Sequence, residues 1–292
     1  MRSASRRRAS RTVRASPITP TAARTLVEEI KTLTDKPVRY VVDTHFHFDH
    51  AHGNPIFGPE VEVIGHEFTR EAILAGRSMQ GSFINFTAGL PKQIEDLKTK
   101  VAAEANAEAK AKLEQQLKVS TAYQQALTEL DTLKPTPPNV TLQRSMTIFR
   151  GSREIQLHFV GRGHTAGDVV VFLPKERVVA TGDLLTAALS YMGDGFVTEW
   201  PDTLEELKKL EFDWVIPGHG EPYQGKSQLE HFEAYLRDFA AQVSALKKKG
   251  VAANEAAKQM DLTAHKANYP SIQAPGADPI AVKRAYEVLE AR

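Results

Sequence analysis

Thr44-His45-Phe46-His47-Phe48-Asp49-His50 is the most informative stretch of this sequence, and it directly follows the apolar run from Val38 to Val42. If the stretch continues as a strand, alternate side chains point to the same side, so His45 and His47 converge while Phe46 faces away. Two imidazoles that converge in this way indicate a metal site. Imidazole and carboxylate ligands suit zinc, and they also accept manganese or iron, because mixed nitrogen and oxygen ligands discriminate poorly among these metals.

Other residues that can bind metal recur at the ends of further β-like runs. They lie in Gly163-His164-Thr165, in Thr181-Gly182-Asp183 and in Pro217-Gly218-His219-Gly220. Strands that end at one edge of a sheet would present these side chains, together with Asp49 and His50, to a single cleft. The sequence contains no cysteine, so thiolate ligands and disulfides are excluded. The combined pattern predicts a hydrolase with two metal ions.

This set of motifs resembles the metallo-β-lactamase superfamily, whose signature is HxHxDH followed by a distant histidine, an aspartate and a histidine. The resemblance runs from about Leu26 to the C-terminus and is interrupted by one insertion. It implies a four-layer αββα sandwich with two zinc ions at one edge of the packed sheets. The ligands that it implies are His45, His47 and His164 for the first metal, Asp49, His50 and His219 for the second, and Asp183 for both.

Metal chemistry then predicts the reaction. A zinc ion lowers the pKa of bound water to about 7, so hydroxide is present at neutral pH. A hydroxide that bridges two ions can attack an acyl carbon while a metal stabilises the oxyanion. Asp183 would fix the separation of the two cations, and Asp49 would accept a hydrogen bond from the nucleophile and carry its proton toward the leaving group. These two aspartates are the predicted catalytic residues.

The resemblance leaves the cleaved bond open. Lactams, lactones and thioesters are all expected substrates, and weak β-lactamase activity is compatible with the ligands. The lack of cysteine excludes the cysteine-bearing β-lactamases, and Asp183 at the bridging position disfavours the serine-bearing subclass. Two alternatives stay open: an iron-dependent oxidoreductase of the sulfur dioxygenase type, and a catalytically degenerate member. Metal analysis and a hydrolase assay would separate them.

Composition and charge narrow the class of protein. A chain of 292 residues with 41% hydrophobic residues can bury a large core, and its formal net charge of +1 gives no reason to expect nucleic acid or an anionic membrane as a partner. No apolar run approaches the roughly 18 residues of a membrane-spanning helix. The expected partner is a small-molecule substrate. A soluble protein is expected, cytoplasmic by default, because no secretory signal is visible.

The N-terminal residues differ in composition from the rest of the chain. Residues 1–17 are rich in arginine and serine and contain no acidic residue, which predicts a disordered tail before a domain at 18–292. Members of the superfamily place strands before the helix that leads to HxHxDH, whereas here the helical pattern begins almost at once. The sandwich is therefore expected to be shortened at its N-terminus. An exposed sheet edge would then pair with another copy, so a homodimer or higher oligomer is expected.

Two helical segments flank the histidine motif. Thr21 to Thr34 has three apolar residues at helical spacing that should pack on the sheet, Leu26, Ile30 and Leu33. After a predicted loop at 76–90, Lys92 to Lys134 contains no glycine or proline and forms either one long helix or a helical hairpin that ends at Pro135. This insertion, about residues 91–134, is expected beside the mouth of the cleft. It is a lid, a dimer contact or a solvated decoration.

A few further residues receive predicted roles. His52 is expected to support the ligands without binding metal, and His66 to pack against or cap a helix. The hydroxyl of Thr165 is expected to fix a metal ligand. Tyr191 either donates to a substrate carbonyl or packs at the surface. Asn54, where many relatives have glycine, is expected to change only the local turn.

Overall fold

The computed structural model describes residues 19–130 and 132–291, and within them two β-sheets carry most of the core. The smaller sheet is parallel and contains β1 (Tyr40–Val42), β2 (Glu62–His66) and β3 (Val140–Leu142). The larger sheet has six strands in chain order, with one parallel pair, β7 with β8. Its strands are β4 (Ser145–Arg150), β5 (Arg153–Phe159), β6 (Val169–Leu173), β7 (Val178–Gly182), β8 (Trp214–Pro217) and β9 (Tyr223–Gln224).

Helices surround both sheets. Pro20, Pro201 and Pro279 occupy the first turns of three of them, where a missing N–H removes no helical hydrogen bond. The helices are α1 (Pro20–Lys31), α2 (Phe48–Ala51), α3 (Glu67–Leu74), α4 (Ser82–Ala103), α5 (Ala107–Leu127), α6 (Trp200–Lys208), α7 (Ser227–Lys248), α8 (Ala253–Gln259) and α9 (Pro279–Glu290).

The layers follow the order helix, sheet, sheet, helix. Ile64 of the small sheet and Leu157 of the large sheet are both fully buried in the core between the sheets. On the far side of the large sheet, Val179 and Val215 pack with the C-terminal helices around the fully buried Trp200. Each such side chain contributes about 1.5–3 kcal/mol by leaving water. Because α3 packs against β2 and β3 on the opposite side, the predicted αββα sandwich is confirmed.

The histidine motif itself is not a strand. β1 ends at Val42, His45 and His47 lie in bends, and α2 begins at Phe48. The predicted extended alternation is therefore wrong beyond Val42. The ladder with β2 stops there, and the chain turns into a short helix. Phe46 nevertheless faces away from the histidines and is buried beside α3, as expected.

The insertion is a helical hairpin, formed by α4 and α5. The loop predicted for 76–90 is wrong in its second half, because α4 begins at Ser82, directly after Gly81 at φ +46°. Gly89 and Pro91 indicate a break, but α4 continues through them with Leu90, Ile94 and Leu97 buried. Packing of that apolar face overrides the local propensity. The hairpin thus spans 82–127, rather than 91–134.

α1 does not pack as the sequence predicts. Leu33 lies beyond its end and is 57% exposed, whereas Leu26 and Ile30 are only half-buried. The helix contacts the turn at Asn54–Ile56, and the backbone N–H of Thr21 donates to Glu129 Oε2 at 3.2 Å. α1 is therefore attached to the turn at Asn54–Ile56 and to the segment just after the hairpin, rather than laid on the sheet.

The predicted basic tail at 1–17 lies outside the described residues. None of the described helices is both long and apolar enough to cross a membrane. β1 and β4 are edge strands of their sheets, and Phe149 of β4 is 69% exposed. The homo-oligomer stays a prediction, and these edges are where another copy would pair.

Candidate metal centre

All seven predicted ligands lie together where the chain leaves four strands. The bend after β1 carries His45 and His47, and α2 carries the next two ligands. The remaining three follow β5, β7 and β8. The C-terminal ends of these strands lie at the same end of the large sheet. We call this set the ligand cluster: His45, His47, Asp49, His50, His164, Asp183 and His219. The structure shows its convergence, and metal binding by it remains a prediction.

Three buried imidazoles form the first group of the cluster. His45 Nε2 lies 3.1 Å from His47 Nδ1, and His164 Nε2 lies 2.9 Å from the same atom. Nitrogen atoms that bind one tetrahedral zinc at 2.0–2.1 Å are about 3.3 Å apart. The three nitrogens therefore fit one metal ion.

The second group combines two imidazoles and one carboxylate. His50 Nε2 lies 3.4 Å from His219 Nε2, and Asp49 Oδ2 is 3.2 Å and 3.1 Å from these two atoms. His50 is buried, whereas the side chain of His219 is 57% exposed. This group also fits one ion, and His219 keeps it open to the cleft.

Asp183 lies between the two groups. Its Oδ1 is 3.3 Å from His50 Nε2, and its Oδ2 is 3.6 Å from His164 Nε2. Gly182 brings the aspartate there at φ +52°, a conformation that favours glycine. Gly218 packs directly against the carboxylate, where a Cβ atom would collide with Asp183 Oδ1. The position matches that of a bridging ligand.

Burial and neighbouring charges shift the pKa of histidines in opposite directions in the two groups. Burial lowers the pKa of His164 to about 3 and also lowers that of His45, so these imidazoles are neutral and ready to bind a cation. Burial opposes charge at His50 too, but Asp49 and Asp183 outweigh it and raise the pKa of His50 to about 10. The two carboxylates thus favour positive charge at the second group. A bound metal ion would supply that charge in place of the protons.

Asp194 contacts the ligand cluster, and the sequence does not identify it. His47 Nε2 lies 3.1 Å from Asp194 Oδ2, and this contact leaves Nδ1 of His47 to face the first group. Burial raises the pKa of Asp194, but the hydrogen bond to His47 outweighs it and lowers the pKa. A carboxylate behind a ligating histidine fixes the tautomer and ring orientation. Its one sequence signal is an acidic residue in the glycine-flanked loop after Asp183.

Two other predicted roles need correction. The Thr165 hydroxyl donates to Asp168 Oδ1 at 2.7 Å, so it holds the turn after His164 and fixes no ligand directly. Asn54 does more than shape its turn: its buried amide donates to Asp43 Oδ2 at 2.8 Å and to the carbonyl of Thr136 at 2.9 Å. Asn54 thereby ties the end of β1 to the segment that follows the hairpin.

Two histidines outside the cluster for which the sequence predicts a role, His52 and His66, are structural. His52 is fully buried with its Nε2 3.1 Å from Ser78 Oγ, and it lies outside the groups that could hold an ion. Burial lowers its pKa to about 4, so it is neutral. His66 caps α3, as predicted, because its Nδ1 accepts a hydrogen bond from the N–H of Phe68.

The ligand cluster forms part of the lining of a cleft of about 1130 Å³. Residues of α1, α4 and α5 line the same cleft and include Leu26, Phe86 and Tyr123; we call them the helical wall. Phe48 connects the two parts, since its ring lies 5.4 Å from that of Phe86. Within the described part of the chain, no lysine or arginine lines the cleft, whereas Glu29 does.

Comparison with known proteins places these features in context. Residues 19–219 match the sequence model of the metallo-beta-lactamase superfamily. A metallo-beta-lactamase type 2 of Bacteroides fragilis is 29% identical over 106 residues, 34% of this chain and 42% of that protein. A linear primary-alkylsulfatase of Pseudomonas sp. (strain ATCC 19151) is 24% identical over 269 residues, 85% of this chain and 47% of that protein. The chain thus spans less than half the length of these relatives.

Solved structures show the same architecture. A metallo-beta-lactamase from Pontibacter korlensis superposes with a TM-score of 0.51 at 23% identity, over 76% of this chain and 80% of that chain. At this identity the similarity establishes the fold.

Proposed function

Because the chain belongs to the metallo-beta-lactamase superfamily, we propose that it is a dinuclear zinc-dependent hydrolase that cleaves the acyl bond of a neutral lactone, thioester or lactam. One observation carries this proposal: seven ligand-type side chains, from four segments of the chain, converge, and five of them line one cleft. The three imidazoles of the first group, the two imidazoles and one carboxylate of the second, and Asp183 between them form a donor set suited to two divalent cations.

The chain's own residues would divide the chemistry among them. His45, His47 and His164 would hold one zinc ion, and the second group and Asp183 would hold the other. When bound, the two ions would lower the pKa of a water molecule and polarise the acyl oxygen. The Asp49 carboxylate would accept a hydrogen bond from the attacking water and return the proton to the leaving group.

The charge of the cleft supports a neutral substrate. An anionic substrate would find no lysine or arginine on the cleft lining within the described residues, and Glu29 and Glu221 would repel it. The helical wall offers apolar surface instead, through Leu26, Phe86 and the ring of Tyr123. Esters, lactones and thioesters with an apolar acyl group match both properties.

A sulfate ester is the second candidate substrate. The relative that matches 85% of this chain is named a linear primary-alkylsulfatase. An apolar wall suits an alkyl chain as well as an acyl chain. The sulfate group, however, would depend on the metal ions alone for positive charge, which is why an acyl substrate is ranked first.

Metal analysis combined with a substrate panel tests the proposal. The purified protein, loaded with zinc and washed, should contain close to two ions per chain by mass spectrometry. It should hydrolyse p-nitrophenyl butyrate, a γ-lactone and a thioester faster than the anionic substrates dodecyl sulfate and a cephalosporin, and a chelator should abolish this activity. A fully loaded protein that is inactive on every acyl substrate would refute the proposal. Faster cleavage of dodecyl sulfate would establish the second candidate, and iron rather than zinc in the native protein would favour the oxidoreductase.

A further inference from the structure

Tyr191 stands beside the ligand cluster and has no role in the mechanism above. Its ring meets the ring of His47 edge-on, with the centroids 5.9 Å apart. The side chain is half-buried and lines the cleft together with His164 and Asp183. Tyr191 therefore borders the part of the cleft that the cluster lines.

Asn85 of the insertion holds this phenol. Its Nδ2 donates a hydrogen bond to the Tyr191 hydroxyl oxygen at 3.2 Å, and Asn85 itself lies in the first turn of α4. This is the one hydrogen bond of the phenol among the described residues, so its O–H remains free to donate. If the amide is turned over, the phenol donates to Asn85 and an amide N–H is free instead. In both orientations the pair offers a donor to the cleft.

The neighbouring hydroxyl groups of the cleft are already engaged. The Thr186 hydroxyl donates to the carbonyl of Ala188 at 2.6 Å, and the Ser190 hydroxyl donates to the carbonyl of Asp183 at 3.2 Å. Attack on an acyl carbon places negative charge on its carbonyl oxygen. A fixed donor aimed at that oxygen typically contributes about 10²–10³ in kcat. With no lysine or arginine on the described lining, the Tyr191–Asn85 pair is suited to this task.

We propose that Tyr191, held by Asn85, donates a hydrogen bond to the carbonyl oxygen of the substrate as charge develops on it. Tyr191 is then a catalytic residue, and Asn85 is a positioning residue supplied by the helical insertion. No proton leaves the phenol, so the step needs no further reactant. This inference rests on the proposed acyl hydrolysis and adds a second source of oxyanion stabilisation to it.

Tyr191→Phe tests the donor directly. With p-nitrophenyl butyrate and phenyl butyrate, which differ only in leaving group, kcat should fall about 100-fold for both, while KM changes little and zinc content stays at the wild-type value. Tyr269→Phe, which removes a phenol from the packing of the C-terminal helices, should leave kcat unchanged. Unchanged kcat in Tyr191→Phe would overturn the proposal, and so would lost zinc. A loss confined to phenyl butyrate would place the donor on the leaving group instead and overturn the carbonyl assignment.

Asn85→Ala tests the positioning. It should lower kcat about 10-fold in the wild-type background and have no further effect in Tyr191→Phe, because both changes remove the same hydrogen bond. Independent losses that multiply would contradict the pairing. A butyl phosphonate monoester, which imitates the oxyanion, should also bind the Tyr191→Phe protein at least 10-fold more weakly by calorimetry. This binding measurement separates a failure of the donor from a failure of the proposed hydrolysis, since it needs no turnover.

Discussion

The two parts of the cleft, the ligand cluster and the helical wall, are built in opposite ways. The cluster consists of polar side chains that are mostly buried and fixed by contacts with one another, such as His47 with His164 at 2.9 Å. The helical wall presents partly exposed side chains, of which Leu26, Phe86 and Tyr123 provide its apolar surface, and it contributes no residue to the ligand cluster. We therefore expect metal binding to depend on the cluster, and preference for the acyl chain to depend on the apolar side chains of the wall. Asn85 of α4 is where the wall also reaches the proposed chemistry.

The largest expected effect comes from the centre of the cluster. Asp183→Ala should remove the carboxylate that lies between both groups, weaken the second metal and lower turnover by more than about 100-fold, the upper range for residues that act only behind a ligand. Asp202→Ala, at an exposed aspartate, is the matched control. Zinc content and kcat are the measurements. Wild-type turnover in Asp183→Ala would show that the cluster is not the reactive part.

The next largest effect is expected at Asp194, which contacts the predicted ligand His47. Asp194→Ala should leave His47 free to rotate and weaken the first metal about 10–100-fold, measured by competition with a chelating dye. Asp194→Asn keeps an acceptor oxygen and should lose less. Equal affinity in all three proteins would mean that Asp194 does not orient His47.

The helical wall should show a different signature. Phe86→Ala should lower kcat/KM about 10-fold for p-nitrophenyl octanoate, much less for p-nitrophenyl acetate, and leave zinc content unchanged. Ile84→Ala is the control, since Ile84 lies on the same helix, is 54% exposed and does not line the cleft. A Phe86→Ala protein that loses zinc, or loses both substrates equally, would erase the distinction between the two parts.

The smallest effect is a shift of thermal stability with pH in the metal-free protein. The folded-state pKa of His50 is raised from 6.5 to about 10, so its contribution is complete below about pH 6.5 and is lost as the pH rises toward 10. The pKa of Asp183 is lowered, so its contribution is lost only as the pH falls below its ordinary value of 3.8. The Tm of the metal-free protein should therefore fall by a few degrees from pH 6 to pH 9. Zinc should raise it more at pH 9 than at pH 6, because binding releases protons. Calorimetry in which the zinc-induced increase is larger at pH 6 would contradict this.

The ligand cluster could be predicted because each ligand follows a recognisable strand. His164, Asp183 and His219 each come directly after an apolar run that pairs in the sheet, so local sequence also gives their place in space. Asp194 could not be found in this way, since its contact with His47 spans 147 residues. Nothing in the sequence around either residue specifies the pairing.

The helical wall shows the opposite limit. Amphipathic spacing predicts that Leu26 and Ile30 share a face, but it does not say which surface that face meets. In the structure, α1 donates a hydrogen bond to Glu129, just after the hairpin, and Leu26 lines the cleft. The sequence also fails to predict where α4 begins, because Gly89 and Pro91 weaken the local helical pattern. The helix continues through them because Leu90 and Ile94 are buried in its packing.

Gly218 has a consequence for any survey of sequence variants of this protein. Its Cβ position is occupied by the carboxylate of Asp183, so every other amino acid there would displace that side chain. In a saturation library selected for activity, Gly218 should tolerate as little variation as the histidines, although it supplies no chemical group of its own. At this position, intolerance to substitution would reflect the space that the Asp183 carboxylate occupies.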